Sequence, residues 1–283
     1  MPGTLYVVAT PIGNLADITL RALSILREVA LIAAEDTRVT HNLLQHYGIE
    51  TPTTPYHQHS MARKAAALIE TLKQGKDIAL VSDAGTPGIS DPGHEIITLA
   101  IAGGITIEAI PGPSAIITAL VISGISTRRF AFDGFPPRRA GERKSFFEAL
   151  KTEPRTMVFY ESPHRVLSTL KAMLDAWGDR RIAVIREATK MFEEVHRGTI
   201  STAIERFAAV KARGELTIIV EAARSPVVEE HSVEDIRAAL REALASGKTE
   251  RDAVHEVAEN YPIPKKEVYR MMIEMKGESA DEA

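Results

Sequence analysis

Short apolar runs rich in Val and Ile recur along the chain and alternate with segments whose apolar residues fall at helical spacing. Such runs are typical of buried strands, and we interpret them as parallel strands. The predicted strands are Leu5–Ala9, Leu31–Ala34, Ile78–Val81, Ile105–Ile110, Phe130–Phe132, Met157–Tyr160, Ile182–Ile185 and Leu216–Val220. Strand and helix alternate throughout, which favours a layered α/β protein over a helix bundle or a β-sandwich.

The small and polar stretch Ser123–Arg129 interrupts this alternation at the midpoint of the chain. It separates the predicted strands into two groups of four, which fit two α/β domains better than one eight-stranded sheet. The sequence therefore predicts an N-terminal α/β domain at residues 1–125 and a second α/β domain at residues 126–225.

Residues 226–283 predict a third, helical unit of three short helices. Ser232 and Thr249 are suited to cap the first two helices, and Pro264 is suited to the first turn of the last. Tyr261-Pro262-Ile263 would form the tight joint of a helix-turn-helix-like pair.

Composition and charge narrow the protein class. The 283 residues are 45% hydrophobic and include no cysteine, which excludes a disordered chain, a disulfide framework, a thiolate nucleophile and an iron–sulfur cluster. The net charge of −4 provides no global attraction to nucleic acid or anionic membranes, so such a partner would need a local basic patch.

The hydropathy pattern indicates a cytoplasmic protein without a membrane partner. No uninterrupted apolar stretch approaches the roughly 18 residues of a membrane-spanning helix. The start, MPGTLYVVATPIG, lacks the basic flank and long apolar run of a signal peptide.

Polar or Gly/Pro-rich loops follow the predicted strands, at the edge where α/β sheets bind ligands. For most of these loops, helix caps and turns are a sufficient explanation. The loop Ser82–Gly93, called here the glycine-rich loop, holds three glycines, two prolines and two aspartates, more than one turn and one cap require. Backbone groups at Ala84–Thr86 beside the Asp83 carboxylate would suit a ligand with an amine and a carboxylate, such as the amino-acid end of a sulfonium cofactor.

Several common sites are disfavoured by missing motifs. Neither GxxxxGK[ST] nor GxGxxG occurs, which argues against a triphosphate or nicotinamide cofactor, and no GxSxG elbow indicates a serine hydrolase. His57 and His59 lie two residues apart without an HExxH motif or a carboxylate-rich loop. We therefore interpret them as surface histidines and expect no metal.

A local basic patch lies between residues 128 and 144. Arginines there could hold phosphates, and one of the interleaved phenylalanines could stack on a splayed base, although alternation favours Phe130 and Phe132 as core strand residues. Lys265, Lys266 and Arg270 form a second basic group, which either touches phosphate or is a solvated helix face. The candidate nucleic-acid-binding residues of this patch are Arg128, Arg129, Arg138, Arg139, Arg143 and Lys144.

Six motifs in order along the chain resemble the ribosomal RNA small subunit methyltransferase I family of the tetrapyrrole-methylase superfamily. Together they are specific, although any one alone would be weak, and the resemblance extends over residues 4–283. The motifs are ATPIGNLADIT at 9–19, AAEDTR at 33–38, VSDAGTPGISDPG at 81–93, IPGPSA at 110–115, YESPHR at 160–165 and REATKMFEEVHRG at 186–198.

The resemblance implies an S-adenosylmethionine-dependent 2′-O-methyltransferase. Its expected substrate is one cytidine ribose of 16S ribosomal RNA, near the decoding site of the small ribosomal subunit. The implied fold has two α/β domains with the cofactor in the cleft between them, and such proteins are typically homodimers.

The resemblance also implies the cofactor-binding residues. Pro11 would form a wall of the cleft, and Thr217 would lie on the adenine side. The methionine part would contact Asp83, Ala84, Gly85, Thr86 and Ile89, with Ser114, Ala115 and Tyr160 nearby.

A ribose hydroxyl is a poor nucleophile, so we expect a general base or an alkoxide-stabilising cation near it. Our preferred catalytic pairs are Glu187 with Lys190 and Asp36 with Arg38. An alternative is that such residues pair across a turn for structural reasons alone. The full set of candidates at strand ends also includes Glu35, Glu161 and His164.

Two other functions stay open. The same fold would support methylation of a small tetrapyrrole precursor, because fold does not fix substrate. The strand-end motifs could also be the scaffold of a non-catalytic RNA-binding or assembly factor.

Overall fold

The computed structural model describes residues 1–57, 61–209, 214–223, 232–261 and 263–281. The strands are β1 Leu5–Val8, β2 Leu31–Ala34, β3 Thr53–Pro55, β4 Ile78–Val81, β5 Ile107–Ile110, β6 Phe130–Phe132, β7 Thr156–Glu161, β8 Arg181–Arg186, β9 Glu194–Thr199 and β10 Leu216–Val220. The helices are α1 Leu20–Glu28, α2 Thr37–His46, α3 Met61–Lys73, α4 His94–Ala102, α5 Ala115–Ser123, α6 Ala140–Ala149, α7 Val166–Trp177, α8 Ile200–Ala209, α9 Val233–Ala245, α10 Glu250–Asn260 and α11 Lys265–Asp281.

The first sheet is parallel, with the strand order β3-β2-β4-β1-β5. Apolar residues of α1 and α2 cover one face, and those of α3 and α4 cover the other. Because both faces are buried, the central strand β4 is apolar at every position and lacks the polar alternation of a half-exposed strand.

The second sheet corrects the expectation of parallel strands. Its order is β6-β7-β10-β8-β9, and only β6 and β7 pair in parallel. The strand β10 runs antiparallel to both β7 and β8, and β9 runs antiparallel to β8. Residues 187–193, all described, join β8 to β9 without a crossover helix, so an antiparallel pairing follows.

The helix α5 follows the last strand of the first sheet but packs on the second. Its buried residues Ala119 and Leu120 join a cluster with Val158, Ala183 and Ile219 of the second sheet. Helices α6, α7 and α8 supply the apolar residues on the opposite face. The helix α5 therefore connects the last strand of the first sheet to the second sheet.

Two strands were not predicted from the apolar pattern. The strand β3 is three residues long and ends at Pro55, and β9 has the polar sequence EVHRGT. Both are edge strands of their sheets. Neither strand contains a buried residue, so neither produces the apolar run on which the prediction depended.

The three predicted C-terminal helices are present as α9, α10 and α11. Ser232 forms a reciprocal capping box with Asp235, and the Thr249 side chain caps α10. Pro264 stands directly before α11 rather than within its first turn, and its carbonyl accepts from the Val268 N–H. Pro262, part of the predicted joint, lies outside the described residues.

The α/β class, with two sheets and a C-terminal helical unit, is confirmed. The chain forms two compact units, Met1–Ala223 and Arg224–Ala283. The boundary between residues 125 and 126 stays a prediction, since both sheets lie within the first unit. Among the described residues, no helix combines the length and apolar character needed to span a membrane.

Candidate functional site

A cavity of about 350 Å³ lies where the ends of strands from both sheets meet, and is called here the strand-end cavity. Its size is within the range of small-molecule sites. Its lining comes from seven segments, which are Ile12, Ala84–Thr86 with Ile89–Asp91, Ser114–Ile116, Phe135, Tyr160–Pro163, Ile185 with Ala188, and Gly214–Thr217.

The glycine-rich loop forms one wall of the strand-end cavity. Gly85 has a φ of +78°, a left-handed conformation that favours glycine. Thr10 and Gly85 exchange two backbone hydrogen bonds, of 2.9 and 3.0 Å, and the Thr10 hydroxyl donates to the Ser82 carbonyl. These contacts fix the backbone of Ala84–Thr86 against the loop that follows β1.

Tyr160, the second-last residue of β7, lines the cavity from the second sheet. Its ring contacts those of Phe132 and Phe135, with centroid distances of 4.9 and 5.5 Å. Burial, with the negative charges of Asp91 and Glu215, raises the pKa of Tyr160 to about 12. The hydroxyl therefore stays protonated at neutral pH and can donate a hydrogen bond.

Three carboxyl groups lie near one another beside the glycine-rich loop. Burial is the main cause that raises the pKa of Glu35, Asp83 and Asp91, and repulsion from neighbouring carboxylates adds to it. Of these three, Asp91 lines the cavity. Asp83 accepts from the Asp36 N–H at 3.0 Å and so joins two strand-end loops.

Eight of the ten predicted cofactor-binding residues line the cavity. They are Ala84, Gly85, Thr86, Ile89, Ser114, Ala115, Tyr160 and Thr217. Pro11 and Asp83 lie next to lining residues, Ile12 and Ala84, without lining it themselves. The structure thus brings most of the predicted set together from both halves of the first unit.

The pair Asp36 and Arg38 does not line the cavity. Asp36 is the N-cap of α2, and its carboxylate accepts from the Arg38 backbone and guanidinium at distances of 2.6 to 3.2 Å. These hydrogen bonds lower the pKa of Asp36 to about 2, which makes it a poor proton acceptor. In the structure Asp36 caps α2 and is paired with Arg38 outside the cavity, and the catalytic role of this pair stays a prediction.

The pair Glu187 and Lys190 does not line the cavity but contacts Gly214 and Glu215, which do. The Lys190 ammonium donates to Glu187 at 2.9 Å and to Glu215, a lining residue, at 3.2 Å. Glu187 also accepts from the Glu215 N–H at 3.1 Å, and its carboxylate packs so closely on Gly214 that no Cβ would fit there. The Lys190 side chain lies against Gly13 of the loop after β1.

The charges of this pair are reinforced by their neighbours. Burial opposes charge on both groups, but the hydrogen bond and attraction between them prevail, together with the N–H and carboxylate of Glu215. The pKa of Glu187 is lowered and that of Lys190 is raised. Lys190 is thus a cation at neutral pH and cannot serve as a general base, while Glu187 is tied as its partner.

The other candidates from the strand ends have structural partners or lie outside the cavity. Glu161 is buried and accepts from the Thr169 hydroxyl and the Arg165 guanidinium. His164 is exposed and does not line the cavity. His57 is exposed, and His59 lies outside the described residues. Among the described residues, no cluster of His, Asp and Glu is suited to hold a metal ion.

The predicted RNA-binding residues divide into an exposed group and one buried residue. Arg128, Arg129, Arg138, Arg139 and Lys144 are exposed. Arg143 is only 8% exposed, and it donates to the Pro137 and Arg138 carbonyls at 3.4 and 3.2 Å. Contrary to expectation, Arg143 supports the preceding loop from inside and does not present its charge at the surface.

Sequence reasoning missed the lining residues at Gly214 and Glu215, and it did not select Asp91 or Ser90. In a parallel sheet, the residues that follow the strands lie at the ligand-binding edge, and the prediction was limited to these positions. Because β10 is antiparallel to its neighbours, the residues that precede it reach the same edge. A prediction that β10 is antiparallel would have indicated that Gly214 and Glu215, which precede it, lie at the cavity.

Comparison with known proteins gives one family for most of the chain. The family model for tetrapyrrole (corrin/porphyrin) methylases matches residues 4–204. Three similar curated proteins are all called ribosomal RNA small subunit methyltransferase I. The protein of Bacillus subtilis is 45% identical (94% of this chain and 93% of that protein), that of Streptococcus pyogenes serotype M3 is 43% identical (95% and 94%), and that of Synechocystis is 42% identical (98% and 99%).

Solved structures share the fold at low identity. Cobalt precorrin-4 methyltransferase has a TM-score of 0.59 at 17% identity and covers 79% of this chain and 96% of its own. Diphthine synthase has a TM-score of 0.60 at 14% identity, with coverage of 78% and 90%. A uroporphyrin-III C-methyl transferase from Thermus thermophilus complexed with S-adenyl homocysteine has a TM-score of 0.57 at 18% identity, with coverage of 78% and 98%.

Proposed function

Since the chain belongs to the tetrapyrrole (corrin/porphyrin) methylase family and to the ribosomal RNA small subunit methyltransferase I family, we propose that it methylates the 2′-hydroxyl of a cytidine in 16S ribosomal RNA near the decoding site. The protein is a methyltransferase, and its methyl donor is S-adenosylmethionine. The strand-end cavity is the proposed site of the reaction.

The observation that carries the choice of substrate is the extent of the similarity. The curated ribosomal RNA methyltransferases match 94–98% of this chain at 42–45% identity, which takes in most of the helical unit. The solved cobalt precorrin-4 methyltransferase covers 79% at 17% identity. The exposed arginines beside Phe135, a lining residue, agree with a polyanionic substrate.

The residues of the strand-end cavity fit S-adenosylmethionine. The backbone N–H and C=O groups of Gly85 are paired with Thr10, so the backbone groups of Ala84 and Thr86 on either side would hold the amine and carboxylate of the cofactor. The Asp91 carboxylate and the Tyr160 hydroxyl are the polar side chains suited to the positive half of the molecule. When bound, this cofactor supplies a methyl group on a positively charged sulfur that is already an activated leaving group, so no metal is needed.

The chain itself would activate the substrate hydroxyl. Lys190 is a cation that contacts the lining residue Glu215, and it would stabilise the negative charge that develops on the 2′-oxygen as the hydroxyl loses its proton. Glu187 would hold Lys190 in place. The Glu215 carboxylate lines the cavity and its side chain is 77% exposed, so it is placed to accept the proton that the hydroxyl loses.

The proposed function is tested by incubating the protein with S-adenosylmethionine labelled in the methyl group. The acceptors are small ribosomal subunits from a strain that lacks the protein and, in a parallel reaction, a tetrapyrrole acid. We expect label in 16S RNA, at a cytidine whose 3′ bond resists alkaline hydrolysis. Label only in the tetrapyrrole acid would replace the RNA substrate with a small precursor, and a lack of cofactor binding in calorimetry would favour a non-catalytic assembly factor.

Substitution of both Arg138 and Arg139 by alanine is expected to weaken RNA binding and to flatten its salt dependence. Each lost phosphate contact lowers the slope of log affinity against log salt by about 0.7 for single-stranded RNA, so two contacts change it by about 1.4. Filter binding at several salt concentrations measures the slope. The control replaces Arg21 and Arg27, exposed residues of α1, and a slope changed equally by both double variants would contradict the assignment.

Cofactor affinity is expected to fall on acidification. The fall should begin at a higher pH than it would if the cofactor were bound by an aspartate of ordinary pKa. The pKa of Asp91 is raised, so its carboxylate takes up a proton and loses its attraction for the cationic ligand earlier as the pH decreases. Cofactor affinity measured by calorimetry at several pH values should depend less on pH in Asp91→Asn than in the wild type. The contrasting variant is Asp83→Asn, which removes a carboxyl outside the cavity whose pKa is also raised. A profile flattened by Asp83→Asn alone would identify Asp83 as the ligand's partner.

A further inference from the structure

Phe135 is an exposed aromatic residue that also lines the strand-end cavity. Its surface is 55% exposed, and its ring lies beside that of Tyr160. A single exposed phenylalanine is common on protein surfaces and by itself needs no explanation. The distinguishing feature is the loop of residues 134–139, called here the Phe135 loop, which holds the ring at the cavity.

The backbone of the Phe135 loop is fixed by hydrogen bonds from side chains and neighbouring strands. The Gly134 carbonyl accepts from the Tyr160 N–H at 2.9 Å, and the Pro136 carbonyl accepts from the Arg165 guanidinium. Arg143 donates to the next two carbonyls, as described above. Two consecutive prolines, at positions 136 and 137, restrict the backbone further. The loop is therefore preorganised, which reduces the entropy lost on binding.

Arg165 is itself held by a buried carboxylate. The Glu161 side chain has no exposed surface, and it accepts from Arg165 at 3.1 Å, from the Thr169 hydroxyl at 2.5 Å and from the Ser162 N–H at 2.7 Å. A buried charge is tolerated only when it is paired and hydrogen-bonded in this way. The pair Glu161–Arg165 thus ties the Phe135 loop to the end of β7, another wall of the same cavity.

Exposed cations follow the aromatic ring directly along the loop. Arg138 and Arg139 are both exposed, three and four residues after Phe135. A rigid aromatic surface beside cations is the combination by which proteins bind unpaired nucleotides, since bases stack on the ring and arginines contact the phosphates. Neither a small apolar ligand nor a folded protein surface needs this combination.

We infer that Phe135 is the platform on which the base of the target nucleotide, or of its immediate neighbour, stacks when the ribose enters the strand-end cavity. This inference rests on the proposed function, since it requires an RNA substrate. Phe135 then determines how the nucleotide is positioned. Arg143 and the Glu161–Arg165 pair act through it as positioning residues.

The inference is tested with Phe135→Leu, which keeps an apolar side chain but removes the ring, and Phe135→Tyr, which keeps the ring. The matched control is Phe192→Leu, a phenylalanine that is 69% exposed and does not line the cavity. Methylation of small ribosomal subunits gives kcat and KM, and calorimetry gives the Kd for S-adenosylmethionine. Because Phe135 is mostly exposed, these variants should fold like the wild type.

Loss of one stacking contact should raise the KM for the subunit about 10-fold in Phe135→Leu, while Phe135→Tyr and Phe192→Leu stay near the wild type. The cofactor Kd should not change in any of them. An equal rise of the cofactor Kd in Phe135→Leu would make Phe135 a wall for the cofactor and overturn the inference. An unchanged KM in Phe135→Leu would overturn it and leave the proposed function standing, whereas a wild type that does not methylate RNA would overturn both.

Discussion

Replacing Gly85 by valine is expected to abolish binding of S-adenosylmethionine while the protein stays folded. Gly85 has a φ of +78°, where a β-branched residue is strongly disfavoured. A Cβ would meet Ile12 Cγ2 at 3.5 Å and the Pro113 carbonyl at 3.8 Å, which is ordinary contact. The damage therefore comes from backbone strain in the cavity wall and from the valine methyl groups beside Ile12. Calorimetry should show a Kd increased by about 100-fold, which corresponds to the upper end of the cost of such strain, about 3 kcal/mol.

The matched control is Gly104→Val. Gly104 has a φ of +66°, has open space where a Cβ would be, and does not line the strand-end cavity. Both variants should lose a similar free energy of unfolding, of about 1–3 kcal/mol, but only Gly85→Val should lose the cofactor. Wild-type affinity in a folded Gly85→Val protein would remove the glycine-rich loop from the site.

The first sheet could be predicted because its central strands are buried on both faces. Residues such as Ile78–Val81 then form uninterrupted apolar runs that stand out from any helical pattern. The direction of the second sheet could not be predicted in this way. A buried run has the same composition in either direction, and the direction depends on the connections, such as the short one at residues 187–193.

The site was predicted only in part. Motifs indicated which loops reach the strand-end cavity, but they did not indicate which side chain of a loop faces it. Asp83 and Asp91 belong to one motif, and the turn places only Asp91 in the lining. Arg143 was misassigned because charge suggested exposure, whereas helix spacing places it on the same face of α6 as the buried Phe147, four residues later.

Replacing Lys190 by alanine is expected to lower the single-turnover rate of methylation by about 100-fold, the usual effect of losing a charged group that stabilises the transition state. Lys190 is held between Glu187 and Glu215, and both carboxylates keep it protonated. Because its pKa is raised, its charge persists above the pH range of an ordinary lysine. If Lys190 acts as a cation, the rate of methylation should therefore not fall between about pH 7 and about pH 9.

The Glu187→Gln variant should show a similar loss of methylation rate, because Glu187 fixes Lys190 through the 2.9 Å hydrogen bond. Cofactor affinity should hardly change in either variant. Lys73→Ala is the matched control, because Lys73 pairs with Glu70 at the same spacing on α3, away from the strand-end cavity. Rapid-quench assays with saturating RNA and cofactor separate the chemical step from binding. If the Lys190 and Glu187 variants instead kept the wild-type rate at saturation and lost only RNA affinity, the pair would be a binding element, and the alkoxide would need another stabilising group.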